Sequence, residues 1–269
     1  MPFAGVRDQR FYYEVGGEGD LVILLHGALA NADLMEAPAT GLASGFRALR
    51  FDRRGCGRTT PPTEGPVPLP EEADDVLGIL DWFSVEKAHF LAHDEGAEVA
   101  LEFALRNPGR TGSIALLAPS LEGFSSSPEA AAAAADLRAA LRSDPAKALA
   151  EKLLPSPIFD AAREREGIFE RIADIFNRFP QSPGRFERLP RAGAALVGRL
   201  GAVSARTFVL VGERDEEDRI RCARTIAAGI PGAELLVFPD TSRFLHVEES
   251  RAIMRRLTDF FLPEPEIEP

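Results

Sequence analysis

One stretch, Phe90-Leu91-Ala92-His93-Asp94-Glu95-Gly96, constrains this chain more than any other. An apolar run stops at a polar residue that has small residues, Ala92 and Gly96, two positions to either side. Small flanks let the backbone turn from a strand into a helix sharply enough to expose the side chain between them. The exposed residue is Asp94.

The segments around this turn follow a rhythm that sets the fold class. Leu21 to Leu25 is a continuous apolar run, as in a strand covered on both faces, and it ends at His26-Gly27. A helix is expected over 31–44 and a strand from Phe46 to Phe51, followed by the turn Asp52-Arg53-Arg54-Gly55-Cys56-Gly57 and a proline-rich loop, Pro61 to Pro70. Ala73, Val76, Leu77, Leu80 and Phe83 have helical spacing. A strand from Ala88 to Leu91 leads into the turn, a helix runs from Glu95 to Arg106, and another strand from Ser113 to Leu117. Upstream, Arg10 to Val15 reads as a hairpin strand. Such alternation predicts an α/β fold, a mostly parallel sheet flanked by helices.

From Leu121 to Ser204 the rhythm breaks. This part is helix-rich, with alanines from Ala130 to Ala135 and prolines at Pro155, Pro157, Pro180 and Pro183, and it reads as an inserted helical lid over 121–204. Alternation returns with a strand from Thr207 to Val211, a helix from Asp218 to Ala228, a strand from Ala233 to Phe238 and a helix from Glu248 to Phe261. The core is therefore expected over 1–120 and 205–262, and the acidic, proline-rich segment 263–269 has the composition of a disordered tail.

A chain of 269 residues can bury a substantial core. Its formal charge of -11, with no basic stripe, argues against nucleic acid and anionic membrane surfaces as main partners and leaves a small-molecule substrate or ligand. Cys56 and Cys222 have no metal-ligand spacing, and neither metal nor cofactor is expected. No charged head precedes an apolar N-terminal segment and no run would span a bilayer, so a cytoplasmic protein is expected. Oligomeric state is not legible.

The ordered set His26-Gly27, Asp52 to Gly57, Ala92 to Gly96, Val211-Gly212-Glu213-Arg214-Asp215 and Ile230-Pro231-Gly232 resembles the α/β-hydrolase fold superfamily across nearly the whole chain. Its pattern is most similar to small lid-bearing members such as the 3-oxoadipate enol-lactonases. The resemblance implies a catalytic triad in the order nucleophile, acid, histidine, with the nucleophile on the elbow that here carries Asp94. It places the acid at Asp215. Counting back from Val247-Glu248 puts Arg243 at the position of the base, with His246 three residues later. The oxyanion hole would be formed by the N–H groups of Glu95 and Ala28, beside His26, Gly27 and His93.

A guanidinium stays protonated and has no acceptor nitrogen, so Arg243 cannot activate water or a nucleophile. Arg243 between Asp94 and Asp215 would instead form a buried ionic cluster. Haloalkane dehalogenases and epoxide hydrolases of the same fold attack carbon with an aspartate. They place tryptophan after the nucleophile, where this chain has Glu95, and draw acid tyrosines from the lid, where it has none. Three classes stay open: a hydrolase of a small ester or lactone, using an atypical site or His246 as base; a cofactor-independent lyase or isomerase with Asp94 as base; and a catalytically silent small-ligand binder.

Overall fold

The computed structural model describes residues 2–62, 65–178 and 195–262. Eight strands form one sheet: β1 (Phe3–Val6), β2 (Gln9–Gly16), β3 (Leu21–Leu25), β4 (Arg47–Phe51), β5 (Ala88–His93), β6 (Thr111–Leu117), β7 (Thr207–Gly212) and β8 (Glu234–Phe238). They lie in the order β1-β2-β4-β3-β5-β6-β7-β8. The pairs β1/β2 and β2/β4 are antiparallel, and the rest are parallel. The expected hairpin strand is therefore β2, and its partner β1 was not foreseen. Reversal of order between β4 and β3 brings β5 to the middle of the sheet, flanked by β3 and β6, so the turn at Asp94 opens at the centre of the strands' C-terminal edge.

The helices are α1 (Glu36–Leu42), α2 (Leu69–Trp82), α3 (Glu95–Arg106), α4 (Pro128–Ser143), α5 (Pro145–Ala148), α6 (Asp160–Arg163), α7 (Ile168–Arg178), α8 (Glu217–Gly229), α9 (Leu245–Glu248) and α10 (Ser250–Phe261). The helix expected over 31–44 is two pieces. A 3-10 turn at Ala32–Met35, with Asn31 accepting from the Asp33 N–H at 2.8 Å, precedes α1. The helix expected from Glu248 to Phe261 is α10, and the short α9 before it was not foreseen.

The two faces of the sheet are covered by different helices. Ile23, Phe90 and Ile114 pack with Val76 and Leu80 of α2, Val99 and Phe103 of α3, and Ile226 of α8. On the other face Val22, Leu91 and Leu210 pack with Leu42 of α1 and with Ile253, Leu257 and Phe261 of α10. Strands buried on both faces are why β3 and the end of β5 read as unbroken apolar runs.

Among the described residues the insertion carries no strand. Its own apolar cluster, with Leu141, Leu149, Phe159, Ile172 and Phe176, seats on Leu34 of the 3-10 turn, on Phe244 and on Val247 of α9. At its far end, a 3-10 segment at Leu196–Ala202 buries Leu196 and Leu200 in the core under α3 and α8. Residues 263–269, expected as a disordered tail, and Pro180 and Pro183 lie outside the described residues.

Candidate functional site

Asp94 stands between β5 and α3 with φ 51 and ψ -118, a left-handed conformation that costs a non-glycine residue on the order of 1–3 kcal/mol and persists only where the surroundings enforce it. They do so through the backbone. The Asp94 N–H donates to Leu117 O at 3.1 Å, and its carbonyl accepts from Ala97 and from Ser120 at 3.1 and 3.2 Å. Two glycines make room. A Cβ on Gly96 would lie 2.6 Å from Leu25 O, and one on Gly27 would lie 2.7 Å from Asp94 Cβ.

The Asp94 side chain is 15% exposed, and both of its oxygens are engaged. Oδ1 lies 2.9 Å from Arg219 Nη2, an ion pair reaching across from α8. Oδ2 accepts the Ala28 N–H at 3.3 Å. Ala28 was expected to contribute a donor to an oxyanion hole, and here the protein's own carboxylate holds that donor. Burial alone would raise the pKa of Asp94, but Arg219, Arg243, His93 and the Ala28 N–H outweigh it and hold the group at about 2.

Of the expected Asp94-Arg243-Asp215 cluster, the Arg243–Asp215 pair forms and the Arg243–Asp94 pair does not. Arg243 Nε donates to both oxygens of Asp215 at 3.1 Å, and Nη2 donates to Glu216 at 2.8 Å, so its fork turns toward the acidic run that opens α8. It acts on Asp94 only through longer-range charge. Burial opposes the cationic form of Arg243, but Asp215, Asp94 and Glu216 more than offset it, and it stays protonated.

The histidines stand behind this array. The His93 ring is buried, and its Nε2 lies 3.0 Å from Arg243 O, which assigns the proton to Nε2 and leaves Nδ1 with no partner. His246 is fully buried, packs its ring 4.6 Å from that of His93, and has no well-formed hydrogen bond at either nitrogen, although the Leu34 backbone lies beside it. Neither of its nitrogens hydrogen-bonds to Asp94, so this geometry gives no support to a role as substitute base. Desolvation lowers the pKa of both rings, to about 4 for His93 and well below the ordinary value for His246. His26 is a structural residue rather than a lining one, since Nε2 accepts the Arg53 N–H at 3.0 Å and Nδ1 faces Gly27 O at 2.8 Å. The Glu95 side chain is 46% exposed and 3.9 Å from Arg53, and its N–H belongs to the first turn of α3, where the helix supplies no acceptor.

Sequence reasoning missed Arg219 and Glu216. A signal for Arg219 exists. With Cys222, Ala223 and Ile226 it occupies positions i, i+3, i+4 and i+7, the face that α8 buries, so a charge there marks a buried partner. Among the described residues no group of three or more His, Cys, Asp or Glu could hold a metal ion, and no helix is long and apolar enough to cross a membrane.

Residues 20–250 match the family model described as alpha/beta hydrolase fold. The chain is similar, at 26% identity over 95% of its length and 93% of the relative's, to the 2-hydroxy-6-oxononadienedioate/2-hydroxy-6-oxononatrienedioate hydrolase 2 of Pseudomonas putida. Among solved structures it is similar to a hydrolase from Pseudomonas aeruginosa, with a TM-score of 0.83 at 26% identity and coverage of 97% and 98% of the two chains. It shares the fold of the enol-lactonase from Burkholderia xenovorans, with a TM-score of 0.82 at 24% identity and coverage of 96% and 99%.

Proposed function

The chain belongs to the α/β-hydrolase fold family, and on that premise we propose that it cleaves a small ester- or lactone-like molecule with Asp94 in the nucleophile's place. One observation carries this reading: the strained elbow is kept intact around an ionised, partly exposed carboxylate. Strain of this kind is retained where it presents a working group. Two similar proteins are named for the hydrolysis of small carbonyl compounds, an oxo-dienedioate and an enol-lactone.

The reaction follows from what a carboxylate can do. An Asp94 oxygen adds to the substrate carbonyl carbon, and the acyl–oxygen bond breaks. The departing alkoxide takes a proton from water, and the hydroxide so formed opens the acyl-aspartate anhydride, releasing the acid and returning Asp94 as carboxylate. An anhydride has a good leaving group, which relaxes the need for the imidazole base that position 243 does not supply. The test is turnover of p-nitrophenyl esters and simple lactones by the wild type and by Asp94→Asn and Asp94→Ala. Loss of turnover in both variants is expected; undiminished turnover in Asp94→Ala would sink the reading.

A second reading, a catalytically silent binder, is favoured by the arginine at the base position, which supplies no imidazole there and is bonded to Asp215 and Glu216. Saturable binding of those esters by the wild type with no turnover would establish it. The low pKa of Asp94 speaks against the lyase or isomerase reading, because so weak a base removes protons poorly near neutral pH.

A further inference from the structure

Arg243 lies against the acidic segment that opens α8 and Arg219 against Asp94, and the two differ in how fully they are bonded. Arg243 is bonded at two of its nitrogens, with Nε on both oxygens of Asp215 and Nη2 on Glu216. Asp218, further along the same segment, accepts from the Ser127 N–H and Oγ at 2.7 and 2.9 Å and pairs with Arg221 at 3.0 Å. Arg219 has only the ion pair with Asp94 Oδ1, a close approach without hydrogen-bond alignment, and no other acceptor engages its donors among the described residues. Its side chain is 16% exposed, so a mostly desolvated guanidinium stands beside the elbow with unused donors. Five N–H groups in a planar fork are suited to a carboxylate, which accepts two of them side by side.

We infer that Arg219 is a recognition group for a carboxylate carried by the substrate, so that the esters or lactones taken at this site are anionic. This rests on the reading of the Asp94 elbow as the substrate site. The ligand's carboxylate replaces Asp94 on the Arg219 fork, while Asp94 keeps its second oxygen on the Ala28 N–H. Asp94 is thus both neighbour and competitor of the bound anion. Its charge opposes binding, and removing that charge strengthens binding, an effect opposite in sign to that expected if Asp94 itself held the ligand.

Calorimetric titration of the full chain with sodium benzoate, and with benzamide as the uncharged analogue of similar shape, tests this without requiring turnover. Benzoate is expected to bind the wild type saturably and benzamide not. Arg219→Gln should weaken benzoate by about tenfold or more, Asp94→Asn should tighten it by about tenfold, and Arg221→Gln, a change of equal charge on the same helix, should leave it unaltered. The proposal is overturned if the wild type does not bind benzoate, if Arg219→Gln binds it as well as the wild type, or if Asp94→Asn binds it no better. Should Arg219→Gln fail to fold, the sign of the Asp94→Asn effect decides alone. Benzoate binding of this pattern with no ester turnover would leave the inference standing and remove only the proposed reaction.

Discussion

Arg243 Nε lies 3.1 Å from each carboxylate oxygen of Asp215, so the residue at the base position grips the residue at the acid position directly. Side-chain exposure is 9% for Arg243 and nil for Asp215. Arg243→Ala would strand a buried carboxylate, and it is expected to lower unfolding free energy by about 3–5 kcal/mol, read by urea unfolding at neutral pH. Arg243→Lys keeps the charge but loses the fork and should fall between the two. An unchanged midpoint in Arg243→Ala would show that the pair contributes nothing.

Asp94 supplies a pH signature in acid. Its pKa is about 2 in the folded chain against an ordinary value of 3.8, so the unfolded chain binds the extra proton first as pH falls. The stabilisation is complete above pH ~4 and disappears on going down through pH ~2, amounting to about 2 kcal/mol. Asp94→Asn should remove that part of the acid slope. Arg219→Gln should raise the Asp94 pKa, followed by carboxyl carbon NMR; an unmoved titration would show that the ion pair does not set its charge.

His93 acts at higher pH and in the same sense. Desolvation holds its pKa at about 4, below the ordinary 6.5. The unfolded chain therefore takes up the proton first, and stability present above pH ~6.5 is lost as pH falls toward ~4, by about 3 kcal/mol. His246, buried against it, adds to the same slope. His246→Leu should flatten thermal stability against pH in this window while costing little at neutral pH, since it removes buried nitrogens that have no well-formed hydrogen bond. A slope identical to the wild type would refute this account.

The elbow depends on two missing side chains. Gly27→Ala would put a methyl 2.7 Å from Asp94 Cβ, and Gly96→Ala would put one 2.6 Å from Leu25 O. Each should destabilise by about 1–3 kcal/mol, and Gly27→Ala should also displace Asp94 from the Ala28 N–H. Thermal melts of the two variants, with the Asp94 titration repeated in Gly27→Ala, measure both effects.

Asp94→Ser combined with Arg243→His tests what remains of the ordinary relay. Asp215 is already beside position 243, the elbow geometry is in place, and removing the carboxylate frees the Ala28 N–H for an oxyanion. Hydrolysis of p-nitrophenyl acetate by the double variant should exceed that of either single variant. Equal rates in all three would show that the lid or hole has diverged as well.

Much of the fold could be read because its signals are local. Glu95–Arg106 has the predicted bounds since helix spacing and the flanking turn both act over a few residues, and most other elements differ by one to three residues. β1 escaped because four residues, Phe3–Val6, are too few to show a period. Of the cluster expected from the sequence, the Arg243–Asp215 pair is present, whereas Asp94 pairs with Arg219 instead. Which carboxylate an arginine chooses depends on the approach of α8 to the elbow, a tertiary distance with no local signature. Arg219 was hidden further by the chain's preference for arginine over lysine, which makes any one arginine look like surface. His26 lies where expected, but its ring turns inward to the Arg53 N–H, an orientation set by the neighbouring loop.

The bond from the Ala28 N–H to Asp94 Oδ2 also acts as a threshold. A donor already held by an ionised oxygen is not open to a neutral carbonyl arriving from solvent. If ligands reach the elbow as proposed, a visitor gains that donor only by displacing a resident charge, and molecules would be sorted by how strongly they attract a hydrogen-bond donor before any bond in them is touched.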